Sequence, residues 1–226
     1  MDSKQTILVV GLGRFGVSVC EKLAELGQHV IAVDIDKQRV EEVADVVEYC
    51  AQLDATDEDL LVKVGAREAD IAVVAIGNNI EASILATAIL KGLNIPKVIA
   101  RAQTSIHGRV LSRVGAHKVV FPERDAGKNI AETLVNPWLS AFSAVPGGGV
   151  LVGEIEASAG MVGKSLMELE FRKTYNCIVL LFDRKGSRFL PRPDSVIQEG
   201  DKLLVAGTGE DIAEMMEKKD KEENGK

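Results

Sequence analysis

Aromatic side chains make up only 4% of this 226-residue chain, so its interior has to be filled by aliphatic residues. Cysteine is scarce too. Cys20, Cys50 and Cys177 are odd in number, widely spaced and without a CxxC pair, which argues against a disulfide framework or a zinc centre. The three histidines, His29, His107 and His117, have no ligand-like spacing. There is no excess of positive charge. The net charge is −7, whereas general affinity for nucleic acid needs a basic face that releases counterions from phosphates. No apolar run approaches the ~18 residues of a membrane span; the run 71–76 is typical of the longest. MDSKQ leads straight into an apolar segment, without the layout of a signal peptide. These absences describe a soluble cytosolic protein with no nucleic-acid partner. What is present is ordinary globular material, 46% hydrophobic and 27% charged, too apolar for a disordered chain.

Short apolar segments rich in Val and Ile recur at 6–10, 30–33, 47–51, 70–76, 97–101 and 118–121. Such segments suit strands covered on both faces, as in a parallel sheet. Helical patterns separate them, at 14–26, 37–45, 57–64, 79–93 and 104–114. In the first of these, Phe15, Val19, Leu23 and Leu26 form one apolar stripe. Strand and helix alternating in this way predict an α/β fold, a doubly wound parallel sheet. A further helix is expected at 125–134, resuming through Trp138 and Phe142. The VPGGG segment at 145–149 then reads as a domain boundary. Beyond it a small α+β lobe is expected, with strands at 150–155, 177–182, 188–190 and 202–206 and helices at 164–169 and 209–216. The division is thus 1–144 for the first domain, 145–216 for the lobe and 217–226 for a charged, frayed tail.

Gly11-Leu12-Gly13-Arg14-Phe15-Gly16 is a GxGxxG string that follows a strand and opens a helix, with Asp34 eighteen positions after its last glycine. That is the full context of a Rossmann-type dinucleotide fingerprint. The glycines permit a tight turn and bring backbone N–H groups to a phosphate at the helix N-terminus, and Asp34 can accept from both ribose hydroxyls. A ribose 2′-phosphate is repelled there, and no arginine directly follows Asp34. Arg14 adds a cation to an already positive helix end, which suits a nucleotide with a free terminal phosphate; an ordinary surface arginine is the alternative. Asp54-Ala55-Thr56 and Ala75-Ile76-Gly77-Asn78 follow the third and fourth strands, at the carboxyl rim where open α/β sheets bind ligands. Arg101 and Glu123 lie at the same rim. There they could hold a ribose, a phosphate or a metal, or each could be half of a surface ion pair. No nucleophile and base pair stands out.

These residues resemble the RCK (regulator of potassium conductance) family, cytosolic subunits of bacterial Ktr and Trk potassium uptake systems. The resemblance rests on GLGRFG, Asp34 within VDID, Asp54-Ala55-Thr56, VVAIG at 73–77, ARAQ at 100–103 and VVFPERDAG at 119–127. The second part is similar to the RCK C-terminal (TrkA-C) lobe through GKSLMEL, FRKTY, LPRPD and EGDKLLVAG. The resemblance implies a regulator, not an enzyme, that binds ATP or ADP, ATP activating and ADP inactivating; some relatives bind NAD or NADH. It implies homo-oligomers, dimers assembling into an octameric ring, beneath a membrane potassium channel subunit of the KtrB/TrkH type. The location is then cytoplasmic, on the inner face of the cell membrane. The site it implies comprises Gly11, Gly13, Arg14, Phe15, Gly16, Asp34, Ile35, Asp54, Ala55, Thr56, Ala75, Ile76, Gly77, Asn78 and Arg101. Glu123 helps to place Mg²⁺ or Ca²⁺ beside ATP. Some relatives bind cyclic di-AMP between paired lobes. Arg172 and Pro191 fit that region, but Ile178 stands where the binders have asparagine, which argues against that ligand here.

Two rival readings remain at this stage. One is an NAD(H)-dependent oxidoreductase or NAD(H)-sensing regulator. The other is a redox-sensing repressor, which needs a basic winged helix that this acidic chain lacks. Assembly predicts covered apolar surface: Ile80, Ile84, Ile106 and Val110 on two helices, and the Trp138, Leu139 and Phe142 cluster against another subunit.

Overall fold

The computed structural model describes residues 4–224, with side chains described as far as 219. The chain divides into two compact units, Met1–Gly127 and Lys128–Lys226.

The first unit is built from β1 (Thr6–Val10), α1 (Arg14–Glu25), β2 (His29–Asp34), α2 (Lys37–Val43), β3 (Tyr49–Gln52), α3 (Glu58–Lys63), β4 (Ile71–Val74), α4 (Ile80–Gly92), β5 (Lys97–Arg101), α5 (Ser105–Arg113) and β6 (Lys118–Val120). The six strands are parallel, in the order β3-β2-β1-β4-β5-β6. Alternation along β1 explains the two-sided core. Leu8 and Val10 point into one cluster with Leu61, Leu90 and Leu111, while Ile7 and Val9 point into another with Leu12, Cys20 and Val43. Burial pushes the Cys20 thiol up to about 12, so it packs as a small apolar group. Helix starts are fixed locally. Asp36, Asp57, Asn79 and Thr104 each cap a helix by accepting a backbone N–H, from Gln38, Leu60, Ala82 and His107 respectively.

The sequence-based elements of this unit lie within a few residues of these bounds. The fourth strand is the most shortened, ending at Val74, because the chain leaves the sheet there to form the rim.

Helix α6 (Pro122–Val135) carries no buried residue, and Ile130, Leu134 and Val135 lie on its exposed surface. A short 3-10 turn, Pro137–Ala141, follows. The helix expected to resume through Phe142 does not. Phe142–Ala144 is strand β7, which pairs antiparallel with β8 (Leu151–Glu156). VPGGG, expected as the domain boundary, is the turn of this hairpin. Gly147, Gly148 and Gly149 all have positive φ, and the Val145 N–H donates to the Val150 carbonyl at 2.9 Å. Trp138 and Phe142, expected under another subunit, meet edge to face at 5.7 Å and pack on the core of the second unit.

That unit continues with α7 (Phe171–Tyr175), β9 (Ile178–Arg184), β10 (Ser187–Phe189), β11 (Lys202–Gly207) and α8 (Gly209–Asn224). Its five strands run in the order β10-β9-β11-β8-β7, all antiparallel. The helix expected at 164–169 is absent. That stretch is turns stitched to 193–197, with the Leu166 N–H donating to Ser195 and the Met167 N–H to Pro193. The segment expected as a frayed tail is helical as far as Asn224; residues 225 and 226 lie outside the described residues.

Candidate functional site

The strand order reverses at β1, whose neighbours are β2 and β4. A crevice opens at such a switch point, beyond the carboxyl ends of the strands. Here it is a cleft of about 1460 Å³. Gly11 has φ +96°, and a Cβ there would stand 2.9 Å from the Ile76 nitrogen, so the turn closes only with glycine. At Gly16 a methyl would overlap the Gly11 carbonyl oxygen and touch Ala75. α1 therefore begins with Gly13 as its cap residue, no capping side chain and no acid in its first turn. Its free N–H groups and dipole face the cleft, an arrangement that suits an anion.

Asp34, at the end of β2, is buried and holds the loop from the other side. Its Oδ2 accepts the Leu12 N–H at 2.5 Å and its Oδ1 the Asp36 N–H at 2.9 Å. Asp54 and Thr56 satisfy each other: Asp54 Oδ1 accepts the Thr56 N–H at 2.9 Å and its hydroxyl at 2.7 Å. Those bonds, the backbone one first, hold the Asp54 carboxyl below the usual carboxylate range.

Opposite the glycine loop, Arg101 packs its guanidinium on Gly77, where a Cβ would collide with it. Arg101 Nη2 pairs with Glu123 in the first turn of α6. Arg101 Nε is buried without a partner. Glu123 is held below its ordinary range, first by a bond from its own backbone N–H, then by Arg101, with Arg14 adding its field. The Gln103 side-chain amide donates to the Gly77 carbonyl. Arg14 is exposed at the start of α1.

The cleft is lined by Gly11, Gly13, Arg14, Phe15, Asp34, Ile35, Asp54, Ala55, Thr56, Ile76, Gly77, Asn78, Arg101 and Glu123. The structure thus brings together residues from the carboxyl ends of all six strands of the first unit. Gly16 and Ala75 are buried behind the loop and shape it without lining it. Three groups escape a reading of spacing. The Leu12 N–H acts through the backbone; Gln103 lies within ARAQ with no sign of its reach to Gly77. Arg39 lines the cleft with Nη1 3.7 Å from Asp34 Oδ2, although no arginine directly follows Asp34. Among the described residues no three His, Cys, Asp or Glu side chains converge on a metal position. A cation at Glu123 would therefore take its other ligands from phosphate or water, a donor set of hard oxygens that suits Mg²⁺ or Ca²⁺.

A glycine loop at the switch point, an acidic residue ending β2 and a separate α+β lobe define a Rossmann-type nucleotide-binding domain joined to a second module. Residues 7–122 match the TrkA-N domain and residues 154–220 the TrkA-C domain. The chain is 39% identical over 211 residues to the Ktr system potassium uptake protein C of Bacillus subtilis (strain 168), covering 93% of this chain and 95% of that protein. It is 36% identical over 205 residues to the Ktr system potassium uptake protein A of the same organism, covering 90% and 92%. Among solved structures it is similar to the GsuK RCK domain, with a TM-score of 0.52 at 22% identity, over 94% of this chain and 46% of that one. The chain belongs to the family of proteins that join a TrkA-N to a TrkA-C domain, and most of its length is similar to the Ktr system potassium uptake proteins. Among the described residues no helix is long and apolar enough to cross a membrane.

Proposed function

We propose that this chain is a nucleotide-sensing regulatory subunit of a membrane potassium uptake system, a regulator and not an enzyme, activated by ATP and relaxed by ADP. The observation that carries this reading is the Arg101–Glu123 pair facing Arg14 across the phosphate end of the cleft. A ligand moves a protein between states only by binding them unequally. A terminal phosphate brings the charge that distinguishes ATP from ADP to this point. It competes with Glu123 for Arg101. Glu123, displaced, is then a carboxylate beside phosphates, and Mg²⁺ or Ca²⁺ entering with ATP would supply the neutralising charge there. Asp34 holds the ribose and the glycine loop the phosphates.

The channel partner is of the KtrB/TrkH type, and the subunit sits on the cytoplasmic face of the membrane as part of an octameric ring. Exposed Ile80 and Ile106, with the apolar surface of α6, support assembly. Ile84 packs into its own core and Val110 is half-buried, so these two contribute less. A dinucleotide such as NAD(H) is the second reading. The cleft continues past Gly77 to Glu81, Ala82 and Leu85, which leaves room for a second nucleoside.

The test is to identify the nucleotides retained by the purified chain and to titrate ATP and ADP calorimetrically, with and without Mg²⁺. Arg14→Ala weakens ATP more than ADP; equal losses refute the terminal-phosphate role. Asp34→Ala weakens every ribose-bearing ligand by ~1–3 kcal/mol through loss of a charged acceptor. Glu123→Gln abolishes the divalent effect on ATP while metal-free ATP binding is kept or improved. Light scattering with nucleotide gives the mass of an octamer. Retention of NAD(H) alone, with no ATP binding, favours the second reading.

A further inference from the structure

At the ribose end of the cleft Arg39 stands between two carboxylates. Its Nη1 is 3.7 Å from Asp34 Oδ2 and its Nε is 3.6 Å from Asp36 Oδ2. Both separations exceed hydrogen-bond length, so these are ion pairs with no directed bond. Each carboxylate spends its short bonds elsewhere. Asp34 accepts the N–H groups of Leu12 and Asp36. Asp36 accepts the Gln38 N–H as the cap of α2. The Arg39 side chain is 43% exposed while that of Asp34 is 5% exposed. The carboxylate is therefore fixed by the fold, and the guanidinium beside it is reachable and held by ion pairs alone.

We infer that Arg39 is a masked partner for a ribose 2′-phosphate, so that the preference of this cleft for an unmodified ribose is set by the Asp34–Arg39 pair and not by Asp34 alone. This rests on the nucleotide-binding reading above and adds to it the residue that decides the 2′ substituent. A phosphate at the 2′ oxygen arrives where Asp34 accepts the ribose hydroxyls. Two carboxylates repel it and one guanidinium attracts it, so the site rejects it. With Asp34 neutral the balance changes to one carboxylate against one guanidinium. A planar guanidinium then offers paired N–H groups that match phosphate oxygens.

The test compares AMP with adenosine 2′,5′-bisphosphate, which differ only in the 2′-phosphate, by equilibrium binding to the full chain, with ADP as the reference ligand. The wild-type chain prefers AMP. Arg39→Ala widens that preference by about tenfold, the scale of one charge-assisted contact. Asp34→Asn narrows or reverses it, and Arg39→Ala added to Asp34→Asn restores it. The Arg39→Ala arm leaves the buried carboxylate in place, so it decides the question even where Asp34→Asn folds poorly. If Arg39→Ala changes both affinities by the same factor, this inference is overturned while the nucleotide reading stands. If the wild-type chain binds neither AMP nor ADP, the nucleotide reading fails and this inference with it.

Discussion

In the C-terminal unit the buried carboxylate of Asp201, 1% exposed, receives two bonds from Arg184, at 2.8 and 2.7 Å, and one from the Gln198 N–H at 2.9 Å. Arg184 spends its remaining reach on the Val196 carbonyl. In the N-terminal unit the treatment of buried polar groups is different. Ser83 Oγ, Arg101 Nε and His107 Nε2 are buried without partners, and these are the only such side-chain atoms among the described residues. An unsatisfied buried donor or acceptor costs ~1–3 kcal/mol. The lobe avoids that cost through a closed network. The nucleotide unit carries it, and one of its orphans belongs to Arg101, which lines the cleft. The lobe thus satisfies its buried carboxylate internally, whereas the first unit leaves a buried donor of a cleft-lining arginine unpaired.

The contrast can be broken most forcibly at Asp201. Asp201→Ala leaves Arg184 without its anion and destabilises the lobe by about 3 kcal/mol, read from urea denaturation. A loss below about 1 kcal/mol would show that the network is dispensable. Next in size is Gly16→Ala, whose methyl meets the Gly11 carbonyl. Overpacking of this kind costs about 2 kcal/mol and deforms the loop, so a thermal melt and ADP affinity fall together. Acid provides a finer test. Arg184 foremost holds the Asp201 carboxyl below its ordinary range. A lowered folded pKa gives stability that is complete above the range of the unfolded carboxylate and is lost as pH falls through the folded value. Lobe stability therefore declines from about pH 4 downward, and Asp201→Asn flattens that part of the curve. The smallest effect is expected on the solvated face. Lys22 and Glu25 are both well exposed, and Lys22→Ala changes stability by less than about 0.5 kcal/mol. A larger change would place part of the contrast outside the two interiors.

Much of the first unit is legible in the sequence because its signals are local. Buried parallel strands are short apolar runs, and the capping residues Asp36, Asp57, Asn79 and Thr104 stand directly before their helices. The second unit is less legible. Trp138 and Phe142 stand four apart and mimic a helical stripe, yet Phe142 belongs to a strand whose only sheet partner lies across a glycine turn. α7 is five residues long and flanked by Glu170 and Asn176 in left-handed conformations, which no periodicity announces. In the cleft, the glycine loop and Asp34 could be read as a pattern. The Arg101–Glu123 pair could not, because the two residues are 22 positions apart and each could equally have found another partner. Arg39 was hidden for the opposite reason: it sits on a helix, one turn beyond where an arginine would follow the strand.

The bond from the Leu12 N–H to Asp34 ties the glycine loop to the end of β2, so that on the proposed function the phosphate loop and the ribose acceptor are a single inherited unit. A lineage that exchanged Asp34 to accept a different sugar would at the same step unseat an amide of the glycine loop, so the first mutation toward new specificity would also weaken the old grip. Substitutions at 34 and 39, whose side chains pair directly, should therefore be epistatic, viable together and harmful singly, and descendants of this chain should diversify the far end of the cleft before this one.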